Sequence, residues 1–237
     1  MKAVILAGGK GTRLAPYTNI LPKPLMPIGE KPILEVLIHQ IKRAGINKVI
    51  LTVGYLSQLI QSYFQDGSDL GVDLQYSYEH EPLGTAGPLS IIEGLNKSFL
   101  VSNGDVLSNL DLKVFMDHHQ HSRAIATIAM YNKAVKLDLG VIKLAEDKSI
   151  VGYSEKPTFH FPVSMGVYAF EPKVLNYIPK NEYLDFPDLV LKLIENGEVV
   201  HGYNFDGYWR DLGNKDDYEQ AQLDFETMRD VFLPGES

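Results

Sequence analysis

Apolar and polar residues follow two different periods along the first half of the chain. Apolar runs of strand length occur at residues 3–6, 49–53 and 99–101, and each is followed by a turn that contains glycine or asparagine. Between the first two runs, apolar residues recur at helical spacing over residues 33–44, and Gly45 follows as a typical C-terminal glycine. This order of strand, helix and strand predicts a mainly parallel sheet that is covered by helices.

The second half of the chain changes this alternation. Past residue 135 the predicted strands are separated by turns and prolines, so we expect this half to extend the sheet. The tail after Phe232 is expected to fray. Beyond the elements above, helices are predicted at residues 57–64, 89–95, 112–121, 184–194 and 215–225, and strands at residues 72–78, 124–130, 140–144, 150–154, 163–170 and 199–204.

The composition is that of a folded protein with one large core. The chain has 237 residues, of which 45% are hydrophobic and 22% are charged, which suits a single domain over residues 1–237. The net charge of −8 argues against a broad nucleic-acid surface. There is no cysteine and no apolar run of membrane-spanning length. We therefore expect a cytoplasmic protein that binds neither nucleic acid nor membrane.

The turn after the first predicted strand carries the strongest chemical signal. It reads LAGGKGTRL and is followed by LPKPLMPIG. Gly11 stands where a Walker loop needs serine or threonine, and Leu14 stands where the dinucleotide fingerprint needs its third glycine. Backbone N–H groups of a glycine-rich turn can face an anion, and the side chains of Arg13 and Lys23 can neutralise it. The turn therefore predicts a nucleoside triphosphate site.

Three shorter motifs add charged groups next to predicted strands. Asp105 follows an asparagine and a glycine after a buried strand, and Asp211 stands between aromatic residues and a glycine. Because ligands bind at the carboxyl ends of the strands in such sheets, these two carboxylates are suited to a Mg²⁺ ion that bridges phosphates. Lys156 stands between a glutamate and a proline and can grip a phosphate. Each motif alone also fits a structural role, as an Asx turn, a helix cap or a surface ion pair.

Seven motifs together resemble those of a known family. LAGGKGTRL, PKPLMPIGEKPILE, EPLGTAGPL, NGDV, EKP, SMGVY and GYWRDLG are similar, in this order, to the motifs of the nucleotidyltransferases that make nucleoside-diphosphate sugars. The resemblance implies an α/β protein with the Rossmann-like three-layer α/β/α nucleotide-diphospho-sugar transferase fold and a mixed, mainly parallel central sheet. It divides the domain into a nucleotide-binding half (residues 1–130) and a sugar-phosphate-binding half (residues 131–232).

The resemblance also implies a reaction and its participants. Members of the family join a nucleoside triphosphate to a sugar 1-phosphate with the help of Mg²⁺ and release pyrophosphate. Arg13, Lys23 and Asp105 match the catalytic residues, and Asp105 and Asp211 match the metal-binding aspartates. The sugar phosphate is expected at Gly140, Glu155, Lys156 and Ser164. The nucleotide is expected at Leu6, Ala7, Gly8, Gly9, Gly11, Thr12, Arg13, Lys23, Gly84, Thr85, Asn103 and Gly104.

The choice of nucleobase and sugar depends on few positions. EPLGTAGPL resembles the mannose-1-phosphate guanylyltransferase branch, whereas the thymidylyl branch has a glutamine where Gly87 stands. The missing side chain leaves room for a larger base, so GTP is favoured and thymidylyl or uridylyl transfer is the alternative. Leu139 and Ser164 stand where relatives often have other residues, so mannose-, glucose- and heptose-type sugars of cell-surface polysaccharides all remain open.

Two other functions fit parts of the sequence. A non-catalytic, sugar-nucleotide-binding regulatory subunit fits the resemblance, but such proteins usually lose the signature loop or the metal aspartates, which this chain retains. A phosphocholine-type cytidylyltransferase would use the aromatic side chains of Tyr208 and Trp209 to hold a cation. Because the chain ends before the C-terminal β-helix of many relatives, a homodimer is expected to form through the catalytic domain.

The histidines of the helix predicted at residues 112–121 form a conspicuous cluster. His118, His119 and His121 are expected on the surface of that helix. No acidic partner stands at ligand spacing, so we do not expect them to bind a metal.

Overall fold

The centre of the molecule is a seven-stranded mixed sheet. The computed structural model describes residues 1–79 and 81–235. Its strands are β1 (Lys2–Leu6), β2 (Pro27–Ile28), β3 (Lys31–Pro32), β4 (Lys48–Val53), β5 (Asp73–Tyr78), β6 (Phe99–Asn103), β7 (Val106–Ser108), β8 (Ala126–Lys136), β9 (Val141–Leu144), β10 (Ile150–Ser154), β11 (Thr158–Phe170), β12 (Val200–Phe205) and β13 (Trp209–Asp211). The large sheet has the order β12-β8-β11-β6-β1-β4-β5. Only β11 runs antiparallel to its neighbours in it, so the mainly parallel sheet is confirmed.

Helices cover both faces of this sheet. The α-helices are α1 (Ile33–Arg43), α2 (Ser57–Phe64), α3 (Leu112–Ser122), α4 (Phe186–Glu195) and α5 (Lys215–Phe232). Successive residues of β1 point to opposite faces: Ala3 and Ile5 pack with α1, α2 and α3, whereas Val4 packs with α4. Each fully buried aliphatic side chain of this kind contributes about 1.5–3 kcal/mol to the free energy of folding. The expected three-layer α/β/α arrangement follows.

A third cluster of buried residues joins α5 to α1. Phe225 and Phe232 of α5 stack with their ring centroids 5.6 Å apart and pack with Ile33 and Val36 of α1. Leu233 is only 2% exposed in the same cluster. The expectation that the tail frays directly after Phe232 is therefore wrong at Leu233. The sequence pattern ended the helix at residue 225, and α5 is in fact interrupted at Met228, whose φ of −121° is not helical, before it continues to Phe232.

The bounds of other elements also differ from the predicted ones. The helix predicted at residues 89–95 is a single 3₁₀ segment, Gly87–Ile91, and Gly94 lies beyond it with a φ of +74° that ends any helix. Strands β8 and β11 are longer than predicted, because their outer halves pair with each other beyond the layered core, from Tyr131↔Val163 to Lys136↔Thr158. Strands β9 and β10 continue this pairing as a hairpin. We call residues 131–163 the ribbon.

Among the described residues, no helix combines the length and the apolar character that crossing a bilayer requires.

Candidate active site

The carboxyl ends of β1 and β6 meet at the centre of the sheet. The N–H of Gly104 donates to the carbonyl of Leu6 at 3.0 Å. A Cβ on Gly104 would lie 2.9 Å from that oxygen, so only glycine permits this approach. The N–H of Ala7 donates to the carbonyl of Thr52 at 2.9 Å. Three strand ends therefore lie side by side where the glycine-rich turn begins.

The glycine-rich turn then folds back so that Lys23 packs against it. Gly11 has a φ of +63°, and the Thr18 hydroxyl donates to the Gly11 carbonyl at 2.8 Å. A Cβ on Gly11 would lie 3.2 Å from the Lys23 Cβ. Between these points, Arg13 lies in a 3₁₀ segment, Thr12–Leu14. The turn therefore brings Arg13 and Lys23 to the same region of the structure.

Lys23 links the two aspartates that the sequence singled out. Its buried ammonium group donates to Asp105 Oδ2, and its Nζ lies 3.8 Å from Asp211 Oδ1. The pairing of β7 with β13 sets this geometry, since Asp211 pairs with Val106 and the N–H of Leu212 donates to the Asp105 carbonyl at 3.2 Å. The structure thus brings two carboxylates and a lysine from three distant segments into one cluster.

Arg13 completes this cluster and affects its electrostatics. Burial, followed by the charge of Asp105, raises the pKa of Asp211 above its usual value, while Lys23 and Arg13 act in the opposite direction. A Cβ on Gly213 would lie 2.9 Å from both the Arg13 Nη2 and the Asp211 Oδ2. Gly213 therefore provides the space in which the guanidinium group and the carboxylate lie close together.

The donor set of this cluster fits Mg²⁺. Asp105 and Asp211 offer only carboxylate oxygens, which are the ligands that Mg²⁺ prefers. In the part of the chain that the structure describes, no group of three or more histidine, cysteine, aspartate or glutamate residues is arranged to hold a metal. Protein sites for Mg²⁺ commonly supply one or two carboxylates and leave the remaining positions to water and substrate phosphates, which is what two aspartates beside Arg13 and Lys23 allow.

The loop with Gly84 and Thr85 is fixed to the start of α4. A Cβ on Gly84, whose φ is +78°, would lie 2.6 Å from the Leu184 carbonyl. The N–H and the hydroxyl of Thr85 donate to Asp185 Oδ1 at 2.9 and 3.0 Å, and the Thr85 hydroxyl accepts from the N–H of Phe186 at 2.8 Å. Thr85 thus holds the loop, and its contact with a nucleotide stays a prediction.

Gly87 does not have the role that the sequence suggested. A Cβ there would lie 2.6 Å from the carbonyl of Glu182, and Gly87 is buried. The space beside it is filled by the protein's own backbone. The explanation that the missing side chain makes room for a larger base is therefore wrong, and Gly87 is a glycine because two backbone segments meet there.

Glu79 is a site residue that the sequence analysis missed. It follows β5, and its carboxylate extends past the end of β4, because a Cβ on Gly8 would lie 2.6 Å from Glu79 Oε1. The N–H of Leu83 donates to its Oε2 at 3.2 Å. Burial raises the pKa of Glu79 above its usual value. The available signal was a glutamate directly after a predicted strand and before EPLGTAGPL.

The residues expected on the sugar side are less closely gathered. Ser164 lies at the register shift of β11, where its hydroxyl donates to the Tyr168 hydroxyl at 3.1 Å, and a Cβ on the nearby Gly166 would lie 2.5 Å from Asn103 Nδ2. These contacts connect Ser164 to the end of β6. The other three residues lie on the exposed ribbon, outside the cluster around Lys23: Gly140, Glu155 and Lys156.

The histidine cluster is not wholly on the surface. His118 and His121 are exposed on α3, but His119 is 1% exposed, and its Nδ1 lies 2.8 Å from the Thr127 hydroxyl. Its Nε2 lies 3.4 Å from the carboxylate of Glu171. The expected surface position is therefore wrong for His119, which faces the sheet because α3 turns this side inward.

Comparison with known proteins places the chain in a family. The sequence model described as nucleotidyl transferase matches residues 2–228, and the chain belongs to this family. The chain is 37% identical over 259 residues to the UTP–glucose-1-phosphate uridylyltransferase of Synechocystis sp., covering 99% of this chain and 66% of the relative. It is 36% identical over 230 residues to the mannose-1-phosphate guanylyltransferase of Mycobacterium tuberculosis, covering 94% and 64%. It thus spans about two thirds of the length of these relatives.

A solved structure supports the fold over nearly the whole chain. HddC from Yersinia pseudotuberculosis, complexed with GMP-PN, superposes with a TM-score of 0.71 at 26% identity. The superposition covers 94% of this chain and 99% of that one. The Rossmann-like fold expected from the motifs is therefore confirmed.

Proposed function

We propose that the chain transfers a nucleotidyl group from a nucleoside triphosphate, preferably GTP, to a sugar 1-phosphate. A phosphate oxygen of the sugar phosphate forms a bond to the α-phosphorus, and the bond from that phosphorus to the bridging oxygen breaks. Pyrophosphate leaves with the bonding electron pair, and a nucleoside-diphosphate sugar remains. Membership of the nucleotidyl transferase family and the relatives that act on sugar 1-phosphates support this reaction class.

The observation that carries the proposal is the cluster of Lys23, Asp105 and Asp211 at the end of the glycine-rich turn. The attacking oxygen is already anionic, so the reaction needs no general base. The chief obstacle is the repulsion between two polyanions, which fixed positive charge and alignment overcome. Lys23 and Arg13 supply that charge and bind the triphosphate and the departing pyrophosphate.

The two aspartates and the ribbon are proposed to bind the metal ion and the sugar phosphate. Asp105 and Asp211 would hold Mg²⁺, which supplies charge neutralisation of the phosphate oxygens when it is bound. In the absence of substrate, Lys23 compensates the repulsion between the two carboxylates. Lys156 on the ribbon binds the phosphate of the sugar, and Glu155, Gly140 and Ser164 lie near the sugar.

Glu79 is the basis for preferring GTP. Guanine presents two adjacent N–H donors on its Watson–Crick edge, and one carboxylate can accept from both. Uracil and thymine present a single N–H between two carbonyl oxygens. These two oxygens repel a carboxylate. Glu79 lies beside Gly8, where the resemblance places the nucleoside. The mannose-1-phosphate guanylyltransferase relative and the GMP-PN complex of HddC support a guanine nucleotide, whereas the uridylyltransferase relative keeps UTP as the alternative.

A homodimer through the ribbon belongs to the same proposal. Ten large apolar side chains of the ribbon are each 39% to 76% exposed, and exposed apolar patches commonly mark contacts with another protein. Ile142, Leu144, Ile150 and Tyr153 pair across the hairpin on one face, and we infer that a second copy of the chain packs against these apolar side chains. Ile150→Lys should give a monomer in sedimentation equilibrium, whereas Leu191→Lys on α4 should not.

The reaction is tested by pyrophosphate release from a panel of substrates. The protein is mixed with Mg²⁺, each of GTP, UTP, dTTP, CTP and ATP, and a series of sugar 1-phosphates and phosphocholine. Release with GTP and one narrow set of sugars is the expected result. Asp105→Asn serves as the inactive control and should remain folded by circular dichroism. No release with any pair would favour the regulatory-subunit alternative.

A further inference from the structure

Two neighbouring residues of β13, Arg210 and Asp211, contact different parts of the structure. Asp211 points toward Lys23, with 3.8 Å between Oδ1 and Nζ. Arg210 points the other way, toward α5. Asp211 and Arg210 together connect the cluster around Lys23 to α5. This helix has no contact with a substrate in the proposed reaction.

Arg210 holds α5 through both sides of its guanidinium group. Its Nη1 lies 3.0 Å from Asp217 Oδ1, and its Nη2 lies 3.3 Å from Asp224 Oδ2. Its Nε donates to the Tyr208 hydroxyl at 3.2 Å, and that hydroxyl donates to Asp224 Oδ2 at 2.7 Å. Only 29% of the Arg210 side chain is exposed, so these bonds are less screened than those of a surface pair.

The same helix also holds the segment that follows Lys23. The Tyr218 hydroxyl and the Gln222 amide both donate to the Pro27 carbonyl at 2.6 Å. The N–H of Gly29 donates to Gln222 Oε1 at 2.9 Å. Tyr218 and Gln222 thus reach the segment that follows Lys23. Asp217 and Asp224 of the same helix reach Arg210 on β13, so α5 joins the two segments.

We propose that Arg210 is a positioning residue: by fixing β13 on α5, it holds the Asp211 carboxylate at its place beside Lys23 and Asp105. The inference rests on the proposed function, because it concerns the carboxylate that would bind Mg²⁺. A planar fork that bonds two carboxylates fixes an orientation, which a single ammonium group does not. Partners that orient a metal-binding group typically change metal affinity or activity by about 10–100-fold when they are removed.

The experiment compares Arg210→Met and Arg210→Lys with the wild type. Trp209 is the only tryptophan of the chain and is the neighbour of Arg210, so its fluorescence follows Mg²⁺ binding without substrates. We expect Arg210→Met to raise the Mg²⁺ midpoint and lower kcat by about tenfold each, with little change in KM for either substrate. Arg210→Lys should recover part of both losses. Lys113→Met is the matched control, because it removes an exposed 3.0 Å ion pair with Asp117 on α3.

The readouts separate positioning from stability. An unchanged Mg²⁺ midpoint and kcat in Arg210→Met, with only a lower melting temperature, would overturn the positioning role. An equal change of the Mg²⁺ midpoint and kcat in Lys113→Met would also overturn the positioning role, because the loss of any ion pair would then be sufficient to cause the change. If the wild type releases no pyrophosphate with any substrate pair, the proposed function fails, whereas the shift in the Mg²⁺ midpoint still decides the role of Arg210.

Discussion

The ammonium group of Lys23 donates to Asp105 and lies 3.8 Å from the carboxylate of Asp211. One cation thus keeps two carboxylates of like charge together. Without Lys23, Arg13 would still oppose the repulsion between the aspartates, but the cation that contacts Asp105 directly would be lost where the α-phosphate is expected to lie.

Replacing Lys23 tests this relationship directly. Lys23→Met should lower kcat/KM by roughly 100-fold or more, because one preorganised charge at the reacting phosphate is lost. Steady-state pyrophosphate release measures this. Lys10→Met is the matched control, since Lys10 is an exposed lysine of the same turn. Equal losses in both variants would contradict a specific role for Lys23.

Glu79 is expected to select the base. Glu79→Gln should lower kcat/KM for GTP by about 10–100-fold and raise the preference for UTP and dTTP, because an amide can accept from and donate to the uracil edge. Competition between GTP and UTP in one reaction measures the change. Glu81→Gln, an exposed neighbour, should leave the preference unaltered. A Glu79→Gln variant with the wild-type preference would refute the assignment.

Gly87 should affect stability and leave base selection unchanged. Gly87→Ala places a Cβ 2.6 Å from the Glu182 carbonyl, so it should lower the free energy of unfolding by about 1–3 kcal/mol. Urea denaturation measures this cost. Gly9→Ala is the control, because nothing lies within 4 Å of a Cβ there. A changed GTP preference with unchanged stability would restore the role that the sequence first suggested.

Lys156 should act on the sugar phosphate. Lys156→Ala should raise the KM for the sugar 1-phosphate about tenfold and leave the KM for the triphosphate nearly unchanged, because one charge-assisted contact is lost. Initial rates with one substrate varied at a time separate the two constants. Lys148→Ala, in the turn of the same ribbon, should change neither. An equal rise in both constants would speak against a place on the sugar side.

His119 should make stability depend on pH. Burial, the largest cause, lowers the pKa of His119 below 6.5, although Glu171 acts in the opposite direction. The unfolded chain then binds the proton more readily, so stability is lost as the pH falls through 6.5 toward the lowered value. The advantage of wild type over His119→Gln should therefore be smaller at pH ~5.5 than at pH ~7.5 in urea denaturation. A pH-independent difference would argue against this titration.

Local pattern was sufficient for strands β1, β4, β5 and β6, for helices α1, α2 and α3 and for the charged residues of the cluster around Lys23, but it wrongly predicted a helix at residues 89–95. The runs at β1, β4 and β6 are apolar on both faces, as parallel strands between two helix layers must be. The outer halves of β8 and β11 were missed because they pair outside that core. The end of α5 was missed because its buried residues, Phe225, Phe232 and Leu233, are spaced among polar ones.

By itself, the sequence determined the class of fold, the glycine-rich turn after the first strand and the identity of Lys23, Asp105 and Asp211 as charged groups beside strands. Tertiary structure alone decided that one lysine joins both aspartates, because the pairing of β7 with β13 brings together segments that are far apart in the chain. It alone decided that Gly87 meets backbone and that Glu79 reaches Gly8. Residue type and spacing encode local conformation and chemistry, whereas the space around a side chain depends on what other segments place there.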